Sequence, residues 1–100
     1  MKIGLLARIE AKPEHADEVA AMLTGAVELA REEGNTVTWF AFRESDTVFG
    51  VFDTFNDQSG RQAHLAGQIA AALMGAAETK LAAPPDIRPV DLLSFKIPQS

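Results

Sequence analysis

The chain of 100 residues contains no cysteine and no tyrosine, and it has only two histidines. Without cysteine there can be no disulfide, no thiolate nucleophile and no thiolate metal site. Without tyrosine no protein phenol is available for chemistry. His15 and His64 are too few for a histidine-dominated metal site, and no metal-ligand spacing surrounds either of them. Positive charge is scarce as well. Nine Lys and Arg stand against 14 Asp and Glu, a net charge of −5, and no five-residue window is basic, so nucleic acid is not an expected partner. The longest uncharged apolar run, Ile69–Ala77, is far too short to cross a bilayer, which removes a membrane partner from the expectations. The opening residues Met1–Arg8 turn charged at once and lack the apolar stretch of a signal peptide; a cytoplasmic location is expected. The glycines form no phosphate-binding loop, and Ser59 lies in no strand–turn–helix elbow. Neither a metal nor a cofactor is therefore expected.

What remains is 47% hydrophobic and 23% charged, the balance of a single domain spanning residues 1–100. Lys2–Ala11 alternates as a strand, with Ile3, Leu5, Ala7 and Ile9 on one side. Pro13 fits the first position of a helix, and Glu14, Asp17 and Glu18 crowd its first turn, where the helix dipole favours negative charge. Apolar residues at helical spacing carry this helix over 13–33, and Gly34-Asn35 stops it. Thr36–Arg43 and Thr47–Phe55 are rich in β-branched and aromatic residues, and they read as a hairpin about Glu44-Ser45-Asp46. Asp57 offers an N-cap for a second helical stretch from Gln58, with a bend expected near Gly67 and an end near Lys80. Asp86–Ile97 reads as the last strand. The order βαββαβ, with right-handed crossovers, predicts a ferredoxin-like α+β fold: a four-stranded antiparallel sheet with helices on one face.

Both faces of that sheet are apolar. Phe40 and Phe42 oppose Val37, Trp39 and Ala41; Phe49, Val51 and Phe55 oppose Val48, Gly50 and Phe52; Ile87, Leu93, Phe95 and Ile97 oppose Val90 and Leu92. Helices cover one face, and no loop is long enough to cover the other. A homodimer through the open sheet face is the expectation.

His64 is the most informative single residue. Gly60 and Gly67 flank it on the same helical face. Small neighbours imply either a backbone segment packed closely against the helix or room beside the imidazole for a ligand. Asp53 sits mid-strand, where aspartate is disfavoured, and if it points inward it needs Arg61, Arg43 or His64 as partner. An inward Asp–His pair is a candidate proton-transfer unit. Trp39, the only tryptophan, is either a pocket wall or part of the core or dimer interface.

The stretch Val51-Phe52-Asp53-Thr54-Phe55 followed by Asp57 and by Gly60-Arg61-Gln62-Ala63-His64-Leu65 resembles the antibiotic biosynthesis monooxygenase superfamily, the dimeric α/β-barrel proteins that include quinol monooxygenase-like members. The strand-to-helix passage Ile9–Glu14 and the segment Gly34–Phe42 fall where that family places its counterparts. Asp53 stands where glutamate is common, Gly60 and Arg61 replace an apolar pair, and the family's pocket tyrosines are missing. The haem-degrading relatives' asparagine is absent from the first strand, which argues against haem. The resemblance implies a cofactor-independent monooxygenase oxidising a small aromatic or quinol substrate with O2. His64 and Asp53 would be the catalytic residues, and Trp39, Phe52, Gly60, Arg61 and Gly67 would contact substrate. The alternatives are a non-catalytic dimeric barrel binding a small hydrophobic ligand, of stress-response type, and an isomerase of the same fold.

Overall fold

The computed structural model describes residues 1–98. Strand β1 (Ile3–Glu10) leads through a 3-10 turn (Pro13–His15) into helix α1 (Ala16–Glu32). Strands β2 (Thr36–Arg43) and β3 (Val48–Phe55) form the hairpin. Two short helices follow, α2 (Gln58–Leu65) and α3 (Gln68–Ala77), and then strand β4 (Asp86–Asp91). The sheet is antiparallel in the order β2-β3-β1-β4, the ferredoxin-like arrangement.

Local chemistry explains the element boundaries. The Asp57 carboxylate caps α2 by accepting the Gly60 amide at 3.0 Å, as the sequence pattern requires. The bend falls at Gly67, whose extended backbone serves as the N-cap of α3. The first helix starts later than Pro13 because His15 is not helical (φ −114°, ψ 6°), which leaves the proline in a separate 3-10 turn. The helix α3 closes at Ala77 rather than near Lys80; a turn then brings Leu81 against Ala11. The last strand ends at Asp91, not at Ile97. Its partner β1 runs out there: Ile3 pairs with Asp91, and the Leu92 amide reaches the Lys2 carbonyl at 2.9 Å. Leu93, Phe95 and Ile97 lie beyond the ladder and are exposed, so they join neither face of the sheet.

The main core lies between sheet and helices. Ala7, Ile9, Phe49 and Val51 from the sheet meet Val19 and Leu23 of α1, Leu73 of α3 and Leu81. Leu5, Val51, Asp53 and Phe55 share this inner face, as the pairings Leu5↔Asp53 and Ile3↔Phe55 dictate. On the outer face, Leu6, Phe40 and Phe42 are exposed, with Phe52 and Val90 half-buried among them. The Phe42 ring lies directly over Gly50, where a side chain would collide with it. Among the described residues no helix is long and apolar enough to cross a membrane.

Phe55 is the largest fully buried side chain and is 0% exposed. Phe55→Ala is expected to cost about 3–5 kcal/mol, the usual cost of emptying a large aromatic site, read as a lower urea midpoint with an unchanged denaturant slope.

Candidate functional site

Three ionisable side chains from three elements converge at the inner face. The Asp53 side chain comes from β3, His64 from the last turn of α2, and Glu33 from the residue that caps α1. The His64 Nε2–H donates to Asp53 Oδ2 at 2.7 Å, and Nδ1–H donates to Glu33 Oε1 at 2.5 Å. Burial rises inward: the side chains are 20%, 7% and 2% exposed from Glu33 through His64 to Asp53. Thr36 Oγ1 donates to the same Glu33 oxygen at 2.9 Å. The Phe55 ring stands 5.4 Å from the imidazole, centroid to centroid.

Both ring nitrogens are thus donors, which requires the imidazolium. Burial is the largest influence on its pKa and pushes it down. The hydrogen bonds to Asp53 and Glu33, together with their charges, outweigh burial and raise it from 6.5 to about 9. His64 is a cation at neutral pH and holds no free lone pair.

The glycines beside His64 follow from this arrangement. A Cβ at Gly60 would stand 3.1 Å from the Asn35 carbonyl oxygen, and one at Gly67 would stand 3.0 Å from Glu33 Oε2. The turn between α1 and β2 presses against α2 at both points. Close approach of the Asn35 backbone accounts for Gly60 and of the Glu33 carboxylate for Gly67, and neither lines the cavity that His64 lines.

The space beside the imidazole lies deeper, between the sheet and the helices. A cavity of about 190 Å³ is floored by Leu5, Ala7 and Val51 and roofed by residues of α1 and α3. Asp53 and His64 are the only polar side chains in its wall. The Oδ1 atom of Asp53 is buried without a hydrogen-bond partner. An unpaired buried acceptor costs about 1–3 kcal/mol, so this oxygen calls for a donor.

The other residues singled out from sequence fall elsewhere. Phe52 is on the outer face, because period-two alternation turns it away from Asp53. Arg61 Nη1 reaches the Gly4 carbonyl at 3.4 Å, and Arg43 lies over the Phe49 ring at 5.0 Å; neither meets Asp53. Trp39 is on the inner face directly across from Asp53, but it walls a separate groove with Thr24 and Val27 of α1. Its Nε1–H is buried without an acceptor. Glu33 went unnoticed in the sequence. Its signal was an acidic residue at a helix C-terminus, where the dipole disfavours negative charge. Among the described residues no group of three or more His, Asp or Glu side chains is placed to hold a metal ion.

With this geometry in place, the comparisons narrow the class. No protein-family model matches the sequence. No functionally curated protein matches it. Solved structures do. An antibiotic biosynthesis monooxygenase superposes with a TM-score of 0.79 at 18% identity, over 92% of this chain and 99% of that one. A Pseudomonas aeruginosa protein superposes with a TM-score of 0.79 at 20% identity, over 93% and 95%. The chain has the fold of the antibiotic biosynthesis monooxygenase superfamily. More narrowly, it belongs to one family with a Nitrosomonas europaea protein of unknown function, to which it is 49% identical over 99% of this chain and 96% of that one, with a TM-score of 0.94.

The imidazolium makes a signed pH prediction. Because the folded-state pKa of His64 is raised, its contribution is complete below about pH 6.5 and is lost as pH rises towards 9. Urea unfolding across that window should show stability falling with pH, by up to ~3 kcal/mol. His64→Gln should be less stable at pH 6 and should lose most of this slope. A slope unchanged in the variant would show that His64 is not its source.

Proposed function

We propose that the protein is a cofactor-independent monooxygenase that oxidises a small hydroxylated aromatic compound with O2 in the cavity beside Asp53. The observation that carries this proposal is Asp53, a buried carboxylate with one oxygen lacking a donor, in the lining of a cavity that is otherwise apolar apart from His64. A one-ring phenol or hydroquinone supplies what the wall lacks, carbon against the apolar lining and one O–H against the carboxylate. Size agrees. An engineered apolar cavity of about 150 Å³ takes benzene, and this one, at about 190 Å³, has room for a ring with substituents.

The roles of the Asp–His pair are set by their hydrogen bonds. With both ring nitrogens engaged, His64 positions Asp53 by holding Oδ2. Asp53 Oδ1 is the base that takes the hydroxyl proton, a role the sequence suggested for His64. The electron-rich anion then transfers an electron to O2, and the radical pair closes a ring C–O bond. Loss of the proton from that ring carbon, with cleavage of the O–O bond, leaves a hydroxyquinone and one water. One oxygen atom enters the product and the other leaves as water. The substrate supplies all four electrons, so no external reductant is consumed. Water exclusion by the apolar lining keeps the anion reactive.

As part of the same proposal, the protein works as a homodimer. Leu6, Phe40 and Phe42 are exposed on the outer sheet face, as are Leu93 and Phe95 after β4, and exposed large apolar side chains of this kind mark an association surface. A second copy covering it would form an interface of standard size or larger. Light scattering at micromolar concentration is expected to give twice the mass of one chain; a single-chain mass would remove the dimer.

Oxygen uptake with a panel of one-ring hydroquinones tests the reaction. Asp53→Asn keeps the shape and one acceptor oxygen but removes the base, and turnover is expected to fall by roughly two orders of magnitude or more. Saturable binding with no oxygen uptake would place the protein among non-catalytic ligand-binding members of the fold.

A further inference from the structure

Helix α1 carries a glycine in its middle, Gly25, although glycine is the least favourable helix residue after proline. Neither of the usual reasons applies to it. No glycine of the described chain has positive φ, so the backbone does not demand one. A Cβ at Gly25 would meet no heavy atom within 4 Å, so packing does not demand one either. Gly60 and Gly67 differ in this respect, since each is pressed by a neighbouring segment. Gly25 does share a face of α1 with Met22, Ala26 and Leu29, and this face roofs the cavity that contains Asp53. Opposite it, α3 contributes Ala70 and Ala72. Gly25 and Ala72 are exposed, whereas Ala26, Ile69 and Leu73 are buried. Leu65 of α2 is the other exposed residue of the lining, so the cavity's solvent side runs from Gly25 and Ala72 to Leu65, and Asp53, 1% exposed, lies at the buried end.

We infer that the cavity opens to solvent between α1 and α3 beside Gly25, and that the missing side chain there is what admits a small neutral hydroxylated aromatic molecule to Asp53. The inference rests on the cavity being the ligand site. A residue at a mouth changes how fast a ligand passes and leaves its bound contacts alone, so the two rates move together and the affinity does not. A residue in the wall of the bound site changes the affinity.

The experiment is fluorine NMR exchange of para-fluorophenol with the whole protein, in wild type, Gly25→Ala, Gly25→Leu and Gly75→Ala. Gly75 of α3 is the control: a Cβ there also meets nothing, but Gly75 is not in the cavity wall. Alanine and leucine are better helix formers than glycine, so all three variants are expected to melt no lower than wild type. In Gly25→Leu both the association and dissociation rates should fall by about ten-fold or more, with the dissociation constant within about two-fold of wild type. Gly25→Ala should lie between, and Gly75→Ala should exchange as wild type does. A weaker dissociation constant with an unchanged or faster off-rate would make Gly25 part of the bound site and overturn the inference. Unchanged exchange in Gly25→Leu would overturn it by placing the passage elsewhere. No binding of the probe to wild type would overturn the cavity as ligand site, and the passage with it.

Discussion

The placement of His64 between two carboxylates is the interaction on which the rest of the site depends. Its imidazolium joins β3, α2 and the turn after α1 through Asp53 and Glu33. Removing three charged groups from water is expensive, and such a cluster persists only where nearly every donor and acceptor is satisfied. Both ring N–H groups are. Glu33 also accepts from Thr36 and remains part-exposed, which lowers its desolvation cost. To bring Glu33 close enough, the turn that carries it must lie against α2, and the two glycines flanking His64 make that approach sterically possible. Gly67 makes room for the Glu33 carboxylate itself, and Gly60 makes room for Asn35 two residues on.

The cluster is satisfied at its outer end and unsatisfied at its inner end. Asp53 lines the apolar cavity and its Oδ1 is buried without a donor, and across the strand pair the Trp39 indole N–H lacks an acceptor. Two orphaned polar atoms on adjacent residues of one sheet face run against the general rule for buried groups. Places where a fold departs from such rules are where function is to be sought. Everything around Asp53 that stabilises the fold is conventional: the Asp57 cap, the Leu5–Val51 floor and the Phe55 core. The inner end of the cluster is not.

Much of this was legible in the residues. The alternation of β1, the hairpin, the cap at Asp57 and the bend at Gly67 are local patterns, and local patterns survive folding. Asp53 stood out because aspartate is a poor strand residue, and His64 stood out among small neighbours. Glu33 was not legible as a partner because it lies 31 residues from His64, and only the topology brings them together. Two misplacements have plain causes. Residues 92–97 alternate like a strand, but β1 offers no further backbone to pair with. Phe52 was named as a substrate contact through the family resemblance, and strand alternation puts it on the face away from Asp53.

The alternation that separates Phe52 from Asp53 also lets one sheet serve two purposes, and a bulge in β2 sets which residues go where. Thr36 pairs with Phe55, but Thr38, not Val37, pairs with Thr54, so one extra residue is inserted at Val37. Val37 is consequently exposed, and Thr38 meets Thr54 through their hydroxyls at 2.6 Å on the outer side. Were Val37 instead paired with Thr54 in an unbroken ladder, Thr38 would sit across from Asp53, Trp39 would turn outward, and Phe40 and Phe42 would turn in towards α1. The extra residue reverses all of these at once, as a one-residue slip must. It sends Trp39 to the inner face opposite Asp53 and leaves Phe40 and Phe42 exposed on the outer face. The cavity and the apolar outer surface are therefore linked through the register of one edge strand: deleting Val37 would remove the bulge and keep Trp39 across from Asp53, whereas pairing Val37 into the ladder would move both.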